Sequence, residues 1–177
     1  MSIPGVPHTP ANPNGMHPNK FILSFTALPT IEYWALSVNV PGLSGGEVLR
    51  STPFIDLFVP GEKLQINPLS ITFIVDEDLR GWMEIYQWLR DLTFPKDFSE
   101  YGKLPNRPGV FHATLPQYSD ATLLILDSKQ NPHIRIKLQN CFPTSLTDIL
   151  LSSTSAPEEP ITADATFRFD LYEIEIL

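Results

Sequence analysis

From Lys20 onward the chain is a series of short runs rich in β-branched and aromatic residues, closed by prolines such as Pro29 and Pro41. Side chains of that kind fit a pleated, half-buried surface, so the runs read as strands. The expected strands are Phe21–Phe25, 33–40, 54–59, 69–75, 121–127, 134–141 and 165–176. Ile71, Phe73 and Val75 fall on one face of their run, with Ser70 and Thr72 on the other. In the run from 134, Ile134, Ile136 and Leu138 alternate with Arg135, Lys137 and Gln139, the period of a strand with one wet or subunit-facing side. The last run changes phase. Phe167, Phe169 and Leu171 share one face, Tyr172, Ile174 and Ile176 the other, as a bulge or a change of packing partner near Leu171 would produce.

One helix is expected. Asp76 is its N-cap, and Glu77 and Asp78 occupy the first turn, where the helix dipole favours anions. Leu79, Trp82, Met83, Tyr86 and Leu89 then recur at helical spacing, and Pro95 limits the extension. The stripe of Trp82, Tyr86 and Leu89 needs a cover, most simply a sheet face, so a mainly β fold with one packed helix is expected.

Elsewhere the pattern lapses. Residues 94–119 contain Pro95, Pro105, Pro108 and Pro116 and read as a long surface excursion. Residues 143–160 read as a second irregular stretch with one helical turn at 146–150, and Gly42-Leu43-Ser44-Gly45-Gly46 as a flexible tip between strands. Residues 1–19 carry no charge and include Pro4, Pro7, Pro10, Pro13 and Pro18, so they form neither helix nor ladder. They make an extended arm, read either as a disordered tail or as a segment that orders on a neighbouring subunit; the lack of charge favours the second. Residues 20–177 make a single domain.

Composition narrows the function. Charged residues are 18% of the chain, against about 25% in ordinary globular proteins. Formal net charge is −8, which argues against wrapping DNA, RNA or anionic lipid, since such binding needs clustered Lys and Arg. Cys141 is alone, excluding an internal disulfide and a Cys-based zinc site. No apolar stretch approaches the ~20 residues that span a bilayer, and no basic-then-apolar leader opens the chain.

Catalytic motifs are not evident. Asp76-Glu77-Asp78 could hold a metal or an acid/base pair, but cap and dipole explain the same residues. His8, His17, His112 and His133 are scattered without ligand spacing. The glycine-rich stretch lacks a following Lys-Ser/Thr, and Glu47 would repel phosphate. No Gly-x-Ser-x-Gly occurs, and Cys141 reads as a small apolar filler. The expectation is a non-enzyme without cofactor or metal.

Taken in order, the motifs form a recognisable series: Val40-Pro41-Gly42, a variable tip, Phe54-Ile55-Asp56-Leu57-Phe58-Val59-Pro60-Gly61, Leu69 to Val75 ending in Asp76-Glu77, the helix with Trp88, Asn140-Cys141-Phe142-Pro143-Thr144-Ser145, and an aromatic terminal strand. From about Asn19 to the C-terminus this resembles the tail-tube protein family of contractile-tailed, T-even-like bacteriophages, including the related tube-like baseplate proteins. The resemblance implies a β-sandwich or barrel-like subunit with one flanking α-helix and a long hairpin, assembled into six-membered rings that stack into a hollow tail tube, the strands of all subunits closing a barrel through which DNA and a tape-measure protein pass. It implies a virion protein assembled in the host bacterial cytoplasm, touching tail sheath and a baseplate tube-initiator, with no membrane segment and no specific hold on DNA.

Carried onto this chain, residues 33–41 and 54–66 would be the arms of a long hairpin that lines the lumen and contacts neighbouring rings, with 42–51 at its tip. Val38, Val40, Pro41, Gly42, Gly45, Gly46, Phe54, Asp56, Phe58, Val59, Pro60 and Gly61 would form that subunit interface and lumen wall. An acidic lumen would not hold a polyanion in transit, and a chain surrounded by copies of itself needs few charges. The arm and the 94–119 excursion exceed what a minimal tube subunit requires, which leaves room for a specialised ring or a sheath attachment.

The tube body is the leading reading, because the baseplate proteins look longer than 177 residues; a baseplate tube-initiator or tube-capping ring is the alternative. A soluble β-sandwich binding module using Trp34, Trp82 and Trp88 is a further one, but Trp82 and Trp88 lie roughly 600° apart around a helix and do not share a face. A metal hydrolase built on Asp76 and Asp78 comes last.

Overall fold

The structure, a computed structural model, describes residues 15–93, 118–152 and 160–177. Nine strands and two helices occur among them: β1 (Phe21–Phe25), α1 (Pro29–Trp34), β2 (Ala35–Val38), β3 (Leu43–Ser51), β4 (Asp56–Ile66), β5 (Leu69–Ile74), α2 (Arg80–Thr93), β6 (Ser119–Leu126), β7 (Pro132–Leu146), β8 (Thr162–Arg168) and β9 (Leu171–Ile176). Residues 1–14 of the expected arm and 94–117 of the expected excursion, with His8 and His112, lie outside the described residues.

The 15-residue strand β7 organises the body. Its first part pairs with β6 on one side and β9 on the other, and Phe142 to Leu146 pair with β8. The sheet runs β1-β6-β7-β8-β5-β2, with β9 attached to β7, while β3 and β4 form a separate two-stranded sheet. At the turn of β7, Asn140 takes φ 57°, a left-handed conformation that Asn tolerates well. Its N–H donates to Asp120 Oδ1 (3.1 Å) and its side-chain amide to Asp170 Oδ2 (2.7 Å), tying the bend to both neighbouring elements.

The bend folds the sheet over itself. Phe25 of β1 meets Phe167 of β8 with ring centroids 4.9 Å apart, and Leu23, Leu123 and Ile136 from one half bury with Leu69, Ile71 and Phe73 from the other. The two halves thus share one core, and the mainly β class expected from the sequence holds. Within the described residues β1 and β2 end the sheet without pairing, so the expected barrel is not closed within this subunit.

Several expectations need correction. Tyr33 and Trp34 belong to α1, a second helix, and only Ala35–Val38 is strand. Pro29, read as a strand breaker, opens that helix, where its missing N–H costs nothing. The run 165–176 is two strands separated at Phe169-Asp170, which explains its change of face: β8 and β9 pair with different parts of β7. The run from Pro143 is not irregular, since β7 continues to Leu146 with a register shift between Pro143 and Ser145 that accommodates the proline. Residues 147–150 form no helical turn.

The helix α2 also starts later than expected. Asp76 to Leu79 make a turn, Leu79 standing at φ 55°, and the helix opens at Arg80. Asp76 still caps it from farther back, accepting from the N–H groups of Arg80 (3.1 Å) and Gly81 (3.3 Å). Its fully buried face is Gly81, Ile85 and Trp88; of the expected stripe, Trp82 and Leu89 are half-buried against the core and Tyr86 is exposed. Trp82 stacks on Tyr86 at the margin and donates from its indole to the Thr147 carbonyl. Trp88 is 1% exposed and lies 6.3 Å from the Phe167 ring.

Candidate assembly interface

The β3–β4 pair stands apart from the body as a ribbon. Its register runs from Leu43↔Ile66 at the base to Ser51↔Asp56 near the tip. The tip is Thr52 to Ile55, closed by Thr52, whose hydroxyl donates to the Ile55 carbonyl and accepts from the Ile55 N–H. At the base, Asn67 N–H donates to Gly42 O (2.9 Å), Tyr172 OH to Pro41 O (3.1 Å) and Arg168 Nη1 to Ile66 O (3.1 Å). Both feet of the ribbon are therefore fixed to the sandwich.

A register shift falls between Gly45 and Glu47. There the two strands approach so closely that a Cβ on Gly61 would meet the Gly46 carbonyl oxygen at 2.8 Å. Glycine is required for that contact, and the glycines sit inside a strand, as they do at bulges.

This corrects the expected hairpin. Its first arm is β3, not residues 33–41, and Gly45 and Gly46 belong to that arm and not to the tip. Val38 ends β2 opposite Ile71, and Val40, Pro41 and Gly42 form the connection into the ribbon. Phe54 is at the tip, 98% exposed, and Asp56, Phe58, Val59, Pro60 and Gly61 lie along β4. The structure thus gathers the residues from Gly45 to Gly61 in one ribbon and leaves Val38 at the body. Leu57 and Leu64, in the expected arm 54–66, and Val48 and Leu49 of β3 are exposed beside the others; the glycines in front of Val48 hid the strand β3.

Such exposure is the chemical character of the ribbon. Phe58 is 68% exposed and Val48 57%, on opposite sides of a two-stranded sheet. Apolar groups laid out this way drive association when another surface removes them from water.

Several titratable groups of the body sit in defined surroundings. Glu175 of β9 accepts from Lys137 Nζ (2.7 Å) and Arg135 Nη1 (3.3 Å) on β7, and the Lys137 hydrogen bond holds its carboxyl below the usual range. Burial pushes the Cys141 thiol up to about 12. Asp78 meets Arg80 at 2.8 Å in solvent. Among the described residues no group of three or more His, Cys, Asp or Glu side chains could hold a metal ion, and no helix is long and apolar enough to cross a membrane.

A search of family models finds none that matches this chain. The chain is 28% identical over 117 residues to the tail tube terminator protein of Enterobacteria phage T4. That match takes in 66% of this chain and 60% of the relative, so the chain spans less than two thirds of it. The tube-terminating cap of the anti-feeding prophage superposes with a TM-score of 0.64 at 15% identity, over 99% of this chain and 100% of that one. The chain resembles the tail-tube family in sequence and has its fold. A second tube-like structure, the sheath/tube terminator of an extracellular contractile injection system, PVC, in its extended state, aligns with a TM-score of 0.61 at 16% identity over 92% of this chain and 97% of that one. Within this tube-like fold, β3–β4 is the element that leaves the sandwich.

Proposed function

We propose that this protein is a tube terminator: a structural, non-enzymatic subunit that forms a ring closing one end of the tail tube of a contractile particle. The observation that carries this reading is the agreement between two comparisons, a sequence likeness to a tail tube terminator and a fold likeness, over nearly the whole of both chains, to a tube-terminating cap. It reverses the order of the two readings drawn from the sequence, which put the tube body ahead of the capping ring.

In this role the subunits form a ring, six copies by likeness to the family, with the ribbon as the contact between copies and part of the lumen wall. Phe54, Phe58, Val59 and their neighbours supply apolar contact, and the bulge of Gly46 and Gly61 sets the ribbon's course. The partners are the last tube ring, the tail sheath and, through the lumen, tape-measure protein and DNA in transit. Its place is the virion tail, after assembly in the host cytoplasm.

Negative-stain microscopy of the purified protein tests the ring. Discrete single-layer rings that do not elongate with concentration support termination. Long tubes would assign the protein to the tube body, and monodisperse monomers at high concentration would remove both readings.

A further inference from the structure

The two faces of the β3–β4 ribbon divide their charges by sign. Directly opposed residues of an antiparallel pair share a face, and successive residues alternate. Glu47 and Asp56 therefore lie on one face with Leu49 and Phe58, while Arg50 lies on the other with Val48 and Val59. Glu62 and Lys63 are exposed opposite the register shift, where no paired residue assigns them to a face. One face is acidic, the other basic, and both carry exposed apolar groups.

A two-stranded ribbon is marginal in water on its own, and this one needs cover on both sides. We propose that a second copy of the same ribbon supplies it, the acidic face of one copy lying against the basic face of the next. The proposal rests on the ring reading above and specifies how its subunits meet. Charge complementarity selects this occupant. The chain as a whole carries −8, and three cations of the body are already engaged with carboxylates: Arg135 and Lys137 with Glu175, Arg80 with Asp78. Arg50 is a cation that the ribbon itself presents among matching apolar groups. Because different faces meet, the contact is heterologous, and such contacts propagate from copy to copy and close into a ring where the rotation allows.

A charge-swap experiment on the full chain tests this. One variant carries Arg50→Glu, the other Glu47→Lys and Asp56→Lys. Sedimentation of each alone should show self-association weakened by at least about tenfold, because like charges then face each other across the contact. Unchanged circular dichroism and thermal unfolding of the sandwich would show that each variant is folded. An equimolar mixture should regain association, since each variant offers the face the other lacks, and raising salt should weaken both the parent and the mixture. Parent rings that survive the substitutions of both variants, or a mixture of folded variants that stays apart, would overturn the proposal and leave the terminator reading standing. Rings that follow the charge rule but are located along the tube would overturn the terminator reading and leave this one.

Discussion

Gly61 lies so close to Gly46 that a Cβ on it would stand 2.8 Å from the Gly46 carbonyl oxygen, across the bulge that interrupts the β3–β4 register. Backbone has to move to admit that carbon. Gly61→Ala should therefore loosen the ribbon while sparing the sandwich, raising amide hydrogen exchange in residues 43–66 by about tenfold, the effect of roughly 1.4 kcal/mol of local destabilisation. A Cβ on Gly45 would meet nothing within 4 Å, so alanine there should be accepted without this effect.

The two tryptophans of α2 should differ in cost. Trp88 is buried against Phe167, so Trp88→Ala should cost about 3–5 kcal/mol in denaturant unfolding. Trp82 is half-buried at the helix margin, and Trp82→Ala should cost clearly less, losing its stacking on Tyr86 and one hydrogen bond to Thr147. Equal costs would contradict the assignment of the buried face.

Asp76 caps α2 and Asp78 forms an exposed ion pair. Asp76→Ala should lower stability by about 0.5–2 kcal/mol, and Asp78→Ala by less than about 1 kcal/mol. Calorimetry with and without divalent cations checks the alternative role of this acidic cluster: a metal-dependent rise in melting temperature, lost in both variants, would revive it.

How far the sequence could be read follows from which forces act locally. Richness in β-branched and aromatic residues was enough to place β1 and β6, and alternation placed β5 and the first half of β7, because each of these strands has one buried face. The helix was legible too, but not its buried side: the side that faces the sheet carries Gly81, whose small size lets Ile31 of α1 approach, and a hydrophobic stripe counts Trp82 while overlooking a glycine. The split between β8 and β9 was visible only as a change of face, since the partner causing it, β7, is distant in sequence. In the ribbon, the expected arm 54–66 contains β4, and β3 was lost because glycines that permit close strand approach look the same, in sequence, as glycines that make a loop.

The pH dependence of stability should carry a contribution from Glu175. Its folded carboxyl is held below the ordinary 4.5, chiefly by the hydrogen bond from Lys137, with Arg135 adding to it. A depressed carboxyl stabilises the fold above its unfolded value, and that stabilisation is lost as pH falls through the folded one. The stability difference between the parent and Glu175→Gln should thus be constant above about pH 4.5 and shrink as the solution is made more acidic, most clearly at low salt because the pair is partly exposed. Urea unfolding across a pH series measures it; a difference that grows in acid would contradict the pairing.

The position of the protein in its particle is the most direct test of the terminator reading. Gold labelling of a tagged chain in intact contractile particles, viewed by electron microscopy, should place the label at one end of the tube and nowhere along its length. Label distributed regularly along the tube would contradict it.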